Sequence, residues 1–507
     1  MKRLALILFL SATAHAESRL ETVRATKQLR WGIDPQGGAP YAFQDPVDPN
    51  HLIGFEVEIA TALAHQLGVT AHPVAGPWAQ LLPLLARGDF DIAMNGIEAT
   101  TEKGRICTFT RAYYTAPQRL TVRRGDGRAP RTLEQLRGRR IGTLPSSLAE
   151  FLLRRAGAEV RTYDGGQDDI YRDLGLGRTD GVLLDEPATL YYGAIDPALE
   201  MLPGDFGEIR YAIAVPRGDE ALKRVLDDAL AELGKNGTLG AIYRRWGLWN
   251  PATATLIGDP EFHTPGVAES YETWRIAVGK VPPFWQRLVH RYPGFLLLFA
   301  RGAALTLLVS LTAMALAIVL GALLALARTF GPRPLAWAAN VYIEFIRGTP
   351  LVVQLIMIYF GLPEWGIELN PFTAGCLALG LNYASTEAEN YRAGLASVPL
   401  GQHEAAATLG LSRLQTLRFV VAPQALRVAI PPVTNDFIAL LKDSSLVALV
   451  TMTELNKTYM NLASSTRDHL GLGLIVSLYY LAIGLPFSQL ARYAEARLGR
   501  HLRKGVR

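Results

Sequence analysis

The most specific polar pattern in this chain is Gly401-Gln402-His403-Glu404-Ala405-Ala406-Ala407-Thr408-Leu409-Gly410, followed by Ala422-Pro423-Gln424-Ala425. A short Ala-rich helix presents little side-chain bulk, so it can seat closely in a groove on another surface. Gly410 ends such a helix cheaply, because glycine accepts the left-handed conformation that a helix stop commonly needs. The chemistry implied is docking rather than catalysis; Glu-Ala-Ala alone would equally fit an ordinary connecting helix. A second polar set, Thr386-Glu387-Ala388-Glu389-Asn390-Tyr391-Arg392, lies in an apolar stretch. A lone acid at mid-bilayer costs about 2.5–3.5 kcal/mol even on lenient insertion scales. Glu389 therefore either lines a polar path or pairs with Arg392 to hold helices together.

Other chemistry is missing. The sequence has no Gly-x-x-x-x-Gly-Lys-[Ser/Thr] phosphate loop, so it cannot hydrolyse ATP by that mechanism. No Ser/His/Asp set, metal cluster or spaced carboxylate pair stands out, and the nine histidines are scattered. Cys107 and Cys376, the two cysteines, fall on either side of a soluble/membrane divide and have no metal-ligand spacing around them.

The elements that must carry these groups follow from composition. At 507 residues, two or three domains are expected. A hydrophobic share of 49% against 19% charged residues places part of the chain in lipid. The net charge of +5 gathers at Arg492, Arg497, Arg500, Arg503, Lys504 and Arg507, a cytoplasmic flank rather than a nucleic-acid patch. Met1-Lys2-Arg3, an apolar run and Ala14-His15-Ala16 describe a secretory signal peptide over residues 1–16, with an uncleaved anchor as the alternative.

Residues 17–250 read as a soluble α/β domain, with a helix announced by the stripe Phe55, Ile59, Leu63, Leu67 and with Glu56, Glu58 and Gln66 off it. Residues 251–292 form a linker rich in Pro, Gly and aromatics. Within it, 271–290 suits an interfacial helix, with Trp274, Phe284, Trp285 and Tyr292 just beyond it at headgroup level. Residues 293–497 are expected to be all-α and membrane-spanning, ahead of a basic tail over 498–507. The spans are placed at 302–327, 335–362, 371–396, 432–452 and 471–491, with four or six as alternatives. The second should break at Gly348-Thr349-Pro350, because Pro350 removes a backbone donor. Five spans with the first domain outside put 328–333, the Glu-Ala-Ala loop and the tail inside, as the positive-inside rule asks. Arg287 and Arg291 dissent mildly.

The Glu-Ala-Ala stretch resembles the cytoplasmic coupling loop of ABC importer permeases. Glu344-Phe345-Ile346-Arg347-Gly348-Thr349-Pro350-Leu351-Val352-Val353-Gln354 and Lys442-Asp443-Ser444-Ser445-Leu446 resemble stretches of the polar amino-acid permeases. The resemblance implies a type I importer permease. Gly401, Glu404, Ala405, Ala406 and Gly410 would meet a separate ATPase, Thr386 and Glu389 would lie on the translocation path, and a homodimer would bind two ATPases. No cofactor belongs to this chain; ATP would be used by the partner.

Residues 25–250 resemble periplasmic solute-binding proteins of the amino-acid type through Asp34, Pro40-Tyr41-Ala42-Phe43, Gly54 to Ala60, Trp78 to Leu85, Gly96 to Arg105 and Gly181 to Pro187. This implies a bilobed α/β clamp of type II, lobe one at about 25–112 and 216–250 and lobe two at about 118–210, closing on ligand. An amino acid needs a carboxylate for its ammonium and a cation or helix N-terminus for its carboxylate. On the family pattern Asp185 accepts the ammonium, and Tyr41 and Trp78 sandwich the aliphatic stem. Gly96, Ser146 and Ser147 offer donors, and Lys103 stands where relatives carry a forked Arg, with Arg105 as a substitute. Glu98, in place of the family's usual Thr, would with Asp34 and Asp185 make the cleft acidic and favour a cationic or amide ligand; alternatively it pairs with Lys103 or Arg105 and never meets ligand. The expected location is the cytoplasmic membrane, clamp outside and C-terminus inside. A ligand-gated channel or receptor is the rival, but the sequence lacks a Thr-Val-Gly-Tyr-Gly filter. A membrane-tethered enzyme on the same clamp is a third reading.

Overall fold

A computed structural model of the protein describes residues 18–163, 166–204, 206–261, 268–279 and 282–498. The expected signal peptide, and the basic tail beyond Leu498, lie outside the described residues. The chain divides into two compact units: one reaches Gly294 and includes Met460–His469, and the other holds Phe295–Tyr459 and the chain from Leu470.

In the first unit, eleven described strands alternate with helices: β1 Gln28–Ile33, β2 Phe43–Gln44, β3 Leu52–Ile53, β4 Thr70–Ala75, β5 Ile92–Ala93, β6 Cys107–Arg123, β7 Arg140–Thr143, β8 Glu159–Thr162, β9 Gly181–Asp185, β10 Leu199–Met201 and β11 Glu208–Pro216. The main sheet runs β4-β1-β5-β11-β6-β9-β7-β8, with β10 on β6. β1 is parallel to β4 and β5, the crossover pattern that helices on the sheet faces require. β6 is 17 residues long and serves both lobes. Its first part pairs with β11, from Cys107↔Pro216 to Pro117↔Glu208, and its last part pairs with β9, from Gln118↔Asp185. β6 and β11 are thus the two strands that link one lobe to the other.

The helix Phe55–Gln66 begins after Gly54, whose φ of +143° places it where side chains rarely sit. Phe55, Ile59 and Leu63 face inward as their spacing requires and are fully buried. Burying a side chain of this size stabilises by about 1.5–3 kcal/mol, so Phe55→Ala is a substitution that would break this packing. Glu56 lies off the apolar stripe in sequence, yet it is fully buried as well. Lobe two has its own apolar cluster, with Leu120, Ile141, Leu153, Leu183 and Phe206 among its members.

The stretch expected to be one interfacial helix is two, Glu269–Gly279 and Phe284–His290, with Pro282 and Pro283 ahead of the second. Proline lacks the donor that would carry one helix through. Trp274 does not stand at a headgroup level: it is 3% exposed and packs on Tyr191 with ring centroids 4.6 Å apart. Its neighbour Trp285 is exposed.

In the second unit, two helices among the described residues are long and apolar enough to cross a membrane, Tyr292–Phe330 and His469–Tyr493. Arg333–Gly348 and Leu351–Trp365 make a third candidate, bent by 106° at the expected Thr349-Pro350 break. The break leaves carbonyls without helical partners, and Gln354 Nε2 serves them, donating to Ile346 O (2.9 Å) and Thr349 O (3.2 Å). Asn382 in turn donates to Gln354 Oε1 at 3.0 Å. Irregular backbone at membrane depth needs such internal partners. The helices Pro371–Ala396 and Ala422–Asp443 are not apolar enough to qualify by composition, and they pack on each other. A Cβ at Gly394 would stand 2.7 Å from Ala425 O, so glycine there sets how close the two backbones come. The helix expected over 432–452 starts ten residues earlier, at Ala422 with Pro423 in its first turn, and gives way after Asp443 to a tighter turn over Ser444–Val450.

Candidate functional site

Every site residue expected in the clamp lies in the first unit, where the lobes meet. Asp34 follows β1 and is spent on backbone: Oδ1 accepts from Gln36 N (3.0 Å) and Oδ2 from Trp78 N (2.9 Å). Trp78 is held a second time, its Nε1 donating to Asn95 O at 2.8 Å. Asp34 therefore positions the indole. Gly96 has φ +62°, and a Cβ there would stand 2.7 Å from the Tyr41 ring, so glycine is required by both backbone and space. The Gly96 N–H donates to Glu56 Oε1 at 2.8 Å, and the Tyr113 hydroxyl reaches the same oxygen at 2.5 Å. Burial pushes the Glu56 carboxyl up to about 7, against the lowering by these two donors.

Asp185 ends β9, in lobe two. Its Oδ2 accepts from Tyr41 Oη at 2.9 Å and also from Tyr211 Oη, and the two hydroxyls are 3.1 Å apart. Tyr211 stands on β11 where the register with β6 shifts, a bulge that re-aims its side chain. Burial pushes the Asp185 carboxyl up to about 6, while Tyr211 and Tyr41 pull it down and the Glu98 charge adds a further rise. Among the described residues no cation pairs with it.

Glu98 does pair with Lys103, Oε2 to Nζ 2.9 Å, and it does more. Its two oxygens accept from the Leu148 N–H at 2.9 and 3.1 Å, at the start of the helix Leu148–Ala156 in lobe two. Lys103 Nζ also lies 4.8 Å from the centre of the Trp78 ring, an attraction between a cation and an aromatic face. Ser147 caps the same helix: Oγ accepts from Glu150 N (3.1 Å) and donates to Leu144 O (2.7 Å). Ser146 has φ +56° and gives its N–H to Glu150. Arg105 is exposed. Sequence reasoning missed Glu56, Tyr113, Tyr211 and Asn95. Glu56 sits inside the quoted Gly-Phe-Glu motif, and its place off an apolar stripe hid its burial.

In the second unit the Glu-Ala-Ala segment is a helix, Leu400–Thr408, and Gly410 beyond it has φ +77°. Ala406 is buried, whereas Gly401, Glu404, Ala405, Gly410 and the large apolar Leu400 and Leu409 are exposed. Glu389 is in ion pairs with Arg392 (2.8 Å) and with Arg328. Thr386 is half-buried, and of the two acids in this motif Glu387 is the fully buried one, set against Gly321. Among the described residues no group of three or more His, Cys, Asp or Glu could hold a metal ion.

The family described as bacterial extracellular solute-binding proteins, family 3, matches residues 29–248, and that described as binding-protein-dependent transport system inner membrane component matches residues 317–500. A probable amino-acid ABC transporter permease of Bacillus subtilis strain 168, YckA, is 39% identical over 183 residues, 36% of this chain and 81% of the relative. The glutamine transport system permease GlnP of Escherichia coli K12 is 38% identical over 207 residues, 40% of this chain and 93% of the relative. The chain belongs to the ABC transporter permease family. It is an importer permease joined on one polypeptide to its solute-binding module, and the channel reading finds no support among these relatives. Among solved structures, one titled as an amino acid ABC transporter with histidines is similar at 33% identity and TM-score 0.40, over 43% of this chain and all of that one. The arginine-binding protein ArgBP of T. maritima, as a P235GK mutant, is similar at 26% identity and TM-score 0.42, over 45% of this chain and 98% of that one.

Proposed function

We propose that this importer captures a polar amino acid outside the cytoplasmic membrane and passes it through its own membrane helices, using a separate ATPase. The observation that carries the reading is Asp185 in the cleft: a carboxylate with two tyrosine hydroxyls and, among the described residues, no cation, the partner an ammonium needs. Tyr41 and Trp78 flank the ligand's aliphatic stem, and Asp34, Gly96 and Ser147 hold the walls in place. Micromolar capture corresponds to about −8 kcal/mol, within reach of a few charge-assisted bonds and aromatic burial after ordering costs.

The helix Leu400–Thr408 docks the ATPase with its exposed Ala405, Leu400 and Leu409. The active form is a homodimer with two ATPases, because one permease half does not enclose a path. Residues 1–16 direct export, the clamp faces the periplasm, the C-terminus is cytoplasmic, and the chain itself catalyses no reaction. Tethering holds the clamp at high effective concentration over the gate, whatever the clamp's abundance. Glu389, committed to two arginines, fastens helices beside the path rather than contacting ligand.

When the protein is reconstituted in vesicles with its partner ATPase, that ATPase is expected to hydrolyse ATP faster when amino acid is present on the clamp side. A ligand-gated current without nucleotide would overturn the importer mechanism in favour of a channel.

A further inference from the structure

The geometry assigns to Glu98 the place where a ligand's anionic group would bind, so that the cleft selects a cation: a basic amino acid recognised by its positive end, or the matching amine with no carboxylate. The inference rests on the importer reading and refines its ligand.

An anion entering a protein cleft needs a cation and free N–H donors. Here those groups are Lys103 Nζ and the Leu148 N–H, which opens the helix Leu148–Ala156. Glu98 already holds both, at 2.9 Å from Lys103 and at 2.9 and 3.1 Å from Leu148. The neighbouring donors are committed too. The Gly96 N–H goes to Glu56, the Trp78 N–H to Asp34 and the Ser147 hydroxyl to Leu144 O.

Nor is the Glu98 side chain a chance arrival. Its backbone is locked to β11 on both sides, by Ala99 N to Arg210 O (2.9 Å) and Ala212 N to Ile97 O (3.1 Å). Glu98 is 5% exposed, so a ligand carboxylate that displaced it would strand a buried charge. Lys103 and Glu98 cancel each other, and the charge left to meet a ligand is Asp185. A carboxylate on the ligand thus adds little, and a positive group adds much. Replacing Glu98 by threonine returns Lys103 and the Leu148 N–H to the ligand.

The test measures equilibrium binding to the full chain in lipid nanodiscs with three probes: arginine, agmatine (arginine without its carboxylate) and glutamine. The wild type should bind agmatine within about threefold of arginine. Glu98→Thr should favour arginine over agmatine by about tenfold or more, and Glu98→Gln, which keeps the shape without the charge, should fall between. A wild type that prefers arginine about tenfold or more, an arginine-to-agmatine ratio that Glu98→Thr and Glu98→Gln both leave unchanged, or binding of glutamine with neither cation would overturn the proposal and leave the importer reading standing. Binding of none of the three, with no response to any other amino acid, would overturn both.

Discussion

The Tyr41 hydroxyl, from lobe one, donates to Asp185 Oδ2 of lobe two at 2.9 Å, and Tyr211 on the linking strand reaches the same oxygen. One carboxylate is thereby fastened to a lobe and to a hinge strand together. A hydrogen bond to a charged group contributes about 1.5–3 kcal/mol, and here two hydroxyls share the work. Tyr41→Phe should weaken amino-acid binding by about tenfold and move the pH midpoint of binding upward, because a donor that lowers the Asp185 carboxyl is gone. Calorimetric titration at several pH values reads both effects. A loss of affinity with no shift in midpoint would mean that the ring, rather than the hydroxyl, matters.

Asp185 itself gives the pH dependence a sign. Burial raises its carboxyl from 3.8 to about 6, so above pH 6 it is an anion and below it is neutral. Only the anion attracts an ammonium. Affinity should therefore be flat above about pH 7 and fall by about tenfold per unit below pH 6. Asp185→Asn should remove both the affinity and its slope. Unchanged binding by Asp185→Asn would take this residue out of the site.

Glu56 should mark stability rather than binding. Its carboxyl is raised from 4.5 to about 7 by burial. A raised acid favours the folded state fully below the unfolded value, and that advantage drains away as pH climbs through the folded value. The clamp's melting temperature should decline between about pH 4.5 and 7 on this account, and Glu56→Gln should flatten that decline and raise the melting temperature most near pH 8. Scanning calorimetry of both forms over that range checks it; parallel curves would exclude Glu56 as the source.

Local chemistry made some features legible in sequence. Pro350 has no backbone donor to carry one helix through from the preceding turn, and the chain bends by 106° there. Gly410 adopts the positive φ that a helix stop asks for. The stripe Phe55, Ile59, Leu63 found its buried face through spacing alone. What escaped depends on partners distant in sequence. Glu56 is buried because Gly96 and Tyr113, 40 and 57 residues away, satisfy it. Glu98 meets Leu148 across 50 residues, and no periodicity encodes such a contact. Trp274 has the composition of an interfacial anchor, yet Tyr191 captures it.

The coupling helix offers a contrast between adjacent alanines. Ala405 is exposed and Ala406 is 1% exposed, on a helix that packs on the segment Leu417–Val421. Ala405→Glu adds a charge to a solvated surface, which changes stability by about 0.5 kcal/mol or less. Ala406→Glu forces an unpaired charge into an apolar seam, which costs several kcal/mol. The first variant should keep its melting temperature and ligand affinity while losing most ligand-stimulated ATP hydrolysis. The second should lose folded protein altogether, seen as aggregation in detergent. Full ATPase stimulation in well-folded Ala405→Glu protein would show that the docking surface lies elsewhere, because a carboxylate at the centre of a close-fitting alanine face cannot be seated without opening the joint.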